Sequence, residues 1–207
     1  MSKIQFVYFD LGNVLLEFCH DAAARQMAEV AGVPVDVARR VVFADGLEDR
    51  YERGELSNAA FYDAFCAATD TRPDPAALLL AASDIFRLKV EMLPIVNGLH
   101  AAGTPLGILS NTCPAHWEFV TQGRFRILNA CFREFILSYE VRSMKPDREI
   151  YDAAIQAAGV APDEIFFMDD RIENVQAANA AGLDAVHFTD ARTLQKAILQ
   201  RRIPTNC

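Results

Sequence analysis

The sequence predicts an α/β fold: a Rossmann-like parallel sheet with helices on both faces and an inserted helical cap subdomain. Three observations predict it. Apolar runs of four to six residues, the pattern of strands buried on both faces, recur along the chain. From Leu93 onward, such runs alternate with segments of helical period, as βαβ units require. Before that, residues 18–88 are helical in pattern throughout, with no convincing strand. The core is therefore expected at 1–16 and 89–207, and the cap at 17–88.

Each element has a local reason. Residues 4–9, Ile-Gln-Phe-Val-Tyr-Phe, form the first strand and stop at Asp10, before a turn at Leu11-Gly12-Asn13. In the cap, apolar residues fall at helical spacing over 21–30, 35–43, 59–68 and 75–88. Gly32-Val33-Pro34, Gly54 with Ser57 as an N-cap, and Pro73-Asp74-Pro75 separate them. A helix over 93–102 is broken by Gly103-Thr104-Pro105, and strand 106–109 runs into Ser110-Asn111-Thr112. A strand at 135–138 and a helix at 147–158, closed by Gly159, come next. Strand 165–168 ends at Asp169-Asp170, followed by a helix at 172–181, a strand at 185–188 and a last helix from Ala191.

Composition narrows the class. A hydrophobic share of 52% with 23% charged residues describes a folded chain, not a disordered one. The net charge of −8 argues against a general nucleic-acid or anionic-membrane surface, while leaving room for a local phosphate site. The five cysteines (19, 66, 113, 131 and 207) form no CxxC pair, which suits reduced thiols better than a disulfide framework or a zinc site. The N-terminal apolar run is too short for a signal peptide, and no stretch approaches the length of a membrane span. A cytoplasmic monomer or small homo-oligomer acting on small molecules is expected, with neither nucleic acid nor membrane as partner.

The chemistry follows from the strand ends. In a parallel sheet, ligands bind beyond the carboxyl ends of the strands. Asp10 and the Asp169-Asp170 pair would meet there, and three carboxylates at one spot call for a hard cation. The same edge would carry the Ser110 hydroxyl, the Asn111 amide and the Lys145 ammonium. A carboxylate nucleophile, a lysine and Mg²⁺ suit phosphoryl transfer, where charge on the equatorial oxygens must be neutralised. Two carboxylates and a backbone carbonyl suffice for Mg²⁺, which usually keeps several waters.

Four motifs, Phe9-Asp10-Leu11-Gly12-Asn13-Val14, Ser110-Asn111-Thr112, Lys145-Pro146-Asp147 and Met168-Asp169-Asp170, occur in one order across the chain. Together they resemble the haloacid dehalogenase superfamily over nearly the whole length. The resemblance implies that Asp10 is a nucleophile that becomes an aspartyl phosphate, while Ser110, Asn111 and Lys145 hold the phosphoryl group. It also implies Mg²⁺ on Asp10, the Gly12 carbonyl and Asp170, with Asp169 as a ligand or close partner. One position departs from the pattern. Family phosphatases usually carry a general acid two residues after the nucleophile, and here that residue is Gly12.

The Asp-Leu-Gly-Asn variant resembles the branch containing bacterial α-D-glucose-1-phosphate phosphatases, as does the cap segment Tyr51-Glu52-Arg53-Gly54-Glu55-Leu56-Ser57. His116 also falls where that branch has a histidine, so Arg53 and His116 become candidate substrate contacts. A capping histidine beside a packing Trp117 explains His116 equally well. Without an acid at position 12, esters with acidic leaving groups should be favoured, a sugar 1-phosphate first. The expected activity is Mg²⁺-dependent hydrolysis of a small phosphomonoester. The alternatives are a metal-independent 2-haloacid dehalogenase and a non-catalytic phospholigand-binding protein.

Overall fold

A computed structural model describes residues 2–206. The strands, in chain order, are β1 Phe6–Phe9, β2 Leu16–Glu17, β3 Arg87–Leu88, β4 Leu106–Ser110, β5 Glu134–Leu137, β6 Ile165–Asp169 and β7 Asp184–His187. Five of them form one sheet in the order β5-β4-β1-β6-β7, and every pairing in it is parallel. This is the α/β architecture that the strand and helix alternation predicts.

The apolar runs are buried on both faces because each face has its own core. Val7 and Phe9 pack with Ile108, Phe166 and Met168 on one side; Phe6 and Tyr8 pack with Leu109, Ile165 and Phe167 on the other. Burying one such side chain fully is worth about 1.5–3 kcal/mol. Gly107 is required at the centre of the sheet: a Cβ there would lie 2.4 Å from the Tyr8 ring. The Tyr8 hydroxyl is satisfied by the Ala154 carbonyl at 3.0 Å.

Between β2 and β3 the chain forms helices α1 His20–Ala31, α2 Val35–Arg39, α3 Leu47–Glu52, α4 Asn58–Thr69 and α5 Pro75–Ser83. A π-helical turn, Arg40–Ala44, continues α2 where the sequence predicts a plain helix to 43. Ser57 caps α4 as its position predicts, accepting from the Ala60 N–H at 3.2 Å. The expected helix over 75–88 instead stops at Ser83, and Arg87–Leu88 is a strand. The reason is a partner far away in sequence: β3 pairs antiparallel with β2, Leu16 opposite Leu88 and Glu17 opposite Arg87. These two short strands are the stem through which the chain leaves the main sheet and returns.

The helices between them have their own core, with Met27, Val41, Leu47, Tyr51, Phe61, Phe65 and Leu78 buried together. Cys113 and Ala115 from the main body join that core, so the two parts are packed against each other. The rest of the main body carries α6 Leu93–Ala101, α7 Pro114–Thr121, α8 Arg126–Cys131, α9 Ser138–Val141, α10 Arg148–Ala158, α11 Ile172–Ala180 and α12 Ala191–Gln200. Among the described residues, no helix is long and apolar enough to cross a membrane.

Candidate active site

Because the five strands are parallel and β1 lies at the centre, the ends of β1, β4 and β6 open onto one edge. Asp10 follows β1, Ser110 ends β4 and Asp169 ends β6. Lys145 arrives on the loop before α10 and is buried at their meeting point. Its Nζ lies 2.8 Å from Asp10 Oδ1 and 2.6 Å from Asp169 Oδ2, and donates to the Leu109 carbonyl at 2.9 Å. The Asn111 side chain fixes this loop from both sides. Its Oδ1 accepts from the Lys145 N–H at 2.8 Å, and its Nδ2 donates to the Lys145 carbonyl at 3.0 Å. The Asn111 amide is thus spent on holding Lys145.

Charges here are strongly coupled. Burial alone would lower the Lys145 pKa, but the Asp10 and Asp169 carboxylates outweigh it and raise it, so the ammonium persists. Burial lifts Asp10 to about 7; Lys145 opposes this, while Asp169 and Asp170 add to it. One oxygen each from Asp10, Asp169 and Asp170 lie within 4.8 Å of one another. Like charges ~4 Å apart repel by about 4 kcal/mol at an effective dielectric of ~20, so a single ammonium does not balance three carboxylates.

The donor set fits a hard divalent cation, and hydrogen bonding separates the roles of the three acids. Asp169 is saturated: Oδ1 accepts from the Arg171 N–H (2.8 Å) and Asn174 Nδ2 (3.0 Å), and Oδ2 from Lys145 and again Asn174 (3.1 Å). Asp10 and Asp170 each keep an oxygen with no donor among the described residues. Asp10 Oδ1 takes the Leu11 N–H at 2.7 Å as well as Lys145, and Asp170 Oδ2 takes Asn13 Nδ2 at 3.0 Å.

Above this edge is a cavity of about 50 Å³, lined by Leu11, Gly12, Ser110, Asn111, Thr112 and His116 from the main body. Phe18, His20, Glu48, Glu52, Ile85 and Phe86 close it from the other side. Burial, with Asp49 and Asp10 adding and Lys145 and Arg171 opposing, lifts Glu52 to about 7. His116 is pushed down to about 4 by burial, although its Nε2 contact with the Ala82 carbonyl at 3.2 Å works the other way. One nitrogen or oxygen each from Glu48, Glu52 and His116 also lie within 4.8 Å of one another.

The sequence candidates therefore separate. Asp10, Lys145, Asp169 and Asp170 come together; Gly12, Ser110, Asn111 and His116 line the adjoining cavity. Arg53 is placed elsewhere, in an exposed ion pair with Asp147 at 2.9 Å, at the seam between the helical insertion and α10. Two residues that sequence reasoning passes over, and a third that it does not single out, also belong here. Asn174 is an amide buried on a helix beside Val175 and Ala178, a polar residue where the pattern wants an apolar one. Asn13, with φ of 54°, uses its tolerance for left-handed backbone to aim its amide at Asp170. Glu52 reads in the sequence as a charge beside a glycine turn, within the cap segment 51–57 whose resemblance points to substrate contact without singling it out.

Comparison with known proteins matches residues 4–182 to a family model described as a haloacid dehalogenase-like hydrolase. The D-ribitol-5-phosphate phosphatase of Bacteroides thetaiotaomicron is 25% identical over 190 residues, covering 87% of this chain and 90% of that one. The glyceraldehyde 3-phosphate phosphatase of Methanopyrus kandleri is 26% identical over 201 residues, covering 89% and 84%. Among solved structures, a B. thetaiotaomicron family enzyme in complex with magnesium and inorganic phosphate superposes with a TM-score of 0.79. It is 23% identical, and the match covers 90% of this chain and 94% of that one. The family match over most of the chain agrees with the parallel sheet and the acidic edge already described, and the chain belongs to the haloacid dehalogenase-like hydrolases.

Proposed function

We propose that this protein is a Mg²⁺-dependent phosphatase of small sugar or polyol phosphates, working through an aspartyl phosphate on Asp10. The observation that carries the reading is the buried Lys145 ammonium shared by Asp10 and Asp169, beside an Asp170 that keeps one oxygen free. Asp10 and Asp170, with the Gly12 carbonyl, would hold Mg²⁺, and Asp169 would position Lys145. When bound, the cation would neutralise charge on the phosphoryl oxygens and on the crowded carboxylates. Lys145 neutralises further charge at the nucleophile, and Ser110 offers its hydroxyl to the phosphoryl group from the end of β4. Asn111 sets the height of the Lys145 loop. Residues 17–88 act as a cap, and the cavity of about 50 Å³ beneath them is too small for a sugar phosphate unless they move aside to admit it.

The substrate class rests on relatives whose names specify sugar and polyol phosphates. A sugar 1-phosphate leads the panel on the resemblance of the first motif. A metal-independent dehalogenase would leave the free oxygen of Asp170 beside the nucleophile without a use. The four described free cysteines fit a reducing cytoplasm. The protein would act there as a monomer or small homo-oligomer, without nucleic acid or membrane.

The test is a phosphate-release assay over p-nitrophenyl phosphate and a panel of sugar, polyol and triose phosphates, with Mg²⁺ and with EDTA. Release with Mg²⁺ that EDTA abolishes is expected for the wild type, and none from Asp10→Asn at unchanged melting temperature. Release that survives EDTA would refute the metal-dependent reading.

A further inference from the structure

Position 12 has no side chain to hand a proton to a departing alcohol, and the space a side chain would need is taken. A Cβ on Gly12 would lie 2.9 Å from Phe18 Cε1, and the Phe18 ring is flanked by His20 and Phe86. A proton donor must come from elsewhere in the cavity. Its lining holds four ionisable groups: His20, Glu48, Glu52 and His116.

Three of these are badly placed. The His116 ring is neutral near pH 7, with Nε2 already directed at the Ala82 carbonyl. His20 has a side chain 50% exposed, is stacked on Phe43, and has its Nε2 turned toward Glu48 at 3.9 Å. Glu48 has an oxygen 3.9 Å from His20 Nε2, and neither Asp10 nor Lys145 is among the charges that act on it.

Glu52 differs in two respects. The charges of Asp10 and Lys145 act on it directly through space. It also sits in a stretch where four consecutive residues are fastened to the main body. The Tyr51 hydroxyl accepts from the Ala115 N–H at 3.2 Å, and the Ser138 hydroxyl donates to the Glu52 carbonyl at 2.7 Å. Arg53 pairs with Asp147, and Gly54 lies so close that a Cβ would be 2.1 Å from the Tyr139 carbonyl oxygen. A side chain carried on so fixed a backbone is delivered to one place, the cavity that Gly12 and Ser110 also line.

We propose that Glu52 is the general acid and base of this enzyme, supplied by the cap in place of the residue missing at position 12. The proposal rests on the phosphatase reading. In the first step, an Asp10 carboxylate oxygen bonds to phosphorus and the bond from phosphorus to the alkyl oxygen breaks. Its electron pair stays on that oxygen, which takes the Glu52 carboxyl proton and leaves as an alcohol. In the second, water attacks phosphorus and gives its proton to the Glu52 carboxylate. The acyl phosphate bond breaks, returning Asp10 as a carboxylate and releasing inorganic phosphate. A carboxyl raised toward neutrality by its surroundings is suited to both transfers. Acidity of the leaving group then ceases to be a requirement, so any preference of the wild type for a sugar 1-phosphate over a 6-phosphate comes from recognition and not from the leaving group.

The experiment compares wild type, Glu52→Gln and Glu48→Gln on p-nitrophenyl phosphate and on the fastest alkyl ester among glucose 1-phosphate, glucose 6-phosphate and glycerol 1-phosphate. Glu52→Gln should cost about 10²–10⁴-fold in kcat/KM on the alkyl ester, and under about tenfold in kcat/KM on p-nitrophenyl phosphate, whose leaving group needs no proton. kcat/KM covers only the steps through departure of the leaving group, so loss of the base in the second step does not enter it. Glu48→Gln should not change the ratio of the two rates. Unchanged melting temperatures would exclude misfolding as the cause. Equal losses in kcat/KM on both esters, or a selective loss in Glu48→Gln instead, would overturn the proposal. A wild type inert on every ester would sink the phosphatase reading itself, and this inference with it.

Discussion

Gly12 shows how one residue couples the motif to its surroundings. In the sequence it is a missing acid; in the structure it is the contact surface of Phe18. Restoring the acid with Gly12→Asp is therefore expected to fail, because the new side chain displaces a ring flanked by two others. We expect Gly12→Asp to lower kcat/KM on p-nitrophenyl phosphate by at least about tenfold, equivalent to ~1.4 kcal/mol. Phe18→Ala in the same chain should recover most of that loss. Steady-state kinetics on the two variants decides it: full activity in the single variant would mean that Phe18 yields freely.

Asp10, Asp169 and Asp170 are legible in the sequence because each ends or follows a strand and belongs to a motif, and Lys145 because it belongs to one. Asn174 and Asn13 are not, since their value lies in what their amides touch, and those partners are five and 157 residues away. Arg53 and Glu52 are adjacent in sequence, yet only Glu52 faces the cavity. No periodicity distinguishes two neighbours at the end of a six-residue helix.

At the scale of elements, the segment that ends in β3 is the most instructive. Residues 75–88 are apolar enough to be helical throughout, and local propensity gives no reason for Arg87 and Leu88 to extend. Their strand exists because Leu16 and Glu17 lie opposite them. Long-range pairing overrides a weak local preference. The same non-local logic governs α3, whose end is placed by contacts with α7 and with the residues after β5 rather than by its own sequence. Gly54 is where that placement is most exacting.

Gly54 has φ of +72° and abuts the Tyr139 backbone, whereas a Cβ on Gly46, where φ is +76°, would meet nothing within 4 Å. Each Ala substitution costs about 1–2 kcal/mol in left-handed backbone. Only Gly54→Ala also pushes the Glu52 segment off the main body. Gly54→Ala should therefore cut kcat/KM at least about tenfold beyond Gly46→Ala, ~1.4 kcal/mol in the transition state. Equal kinetics in the two variants would show that docking of this segment does not matter to catalysis.

For the whole molecule, a parallel sheet gathers the ends of three strands and one buried lysine, and the helical insertion closes over them. The chain places most of its apolar residues in three cores, two on the faces of the sheet and one inside the insertion. The uncompensated negative charge collects at the shared edge, where Asp10, Asp169 and Asp170 converge. Such crowding would be a defect in a purely structural protein. It becomes useful if the site takes up a divalent cation and a phosphate ester, whose charges complete the balance.

Everything proposed for this site depends on Asp10 taking the phosphoryl group. The most direct test is to quench the enzyme in acid during turnover of p-nitrophenyl phosphate with Mg²⁺, then locate the phosphoryl group by peptide mass spectrometry. The added phosphoryl should lie on the peptide containing Asp10, and on no peptide when the substrate or Mg²⁺ is omitted. A phosphoryl group found on another residue, such as Ser110, would contradict that role for Asp10.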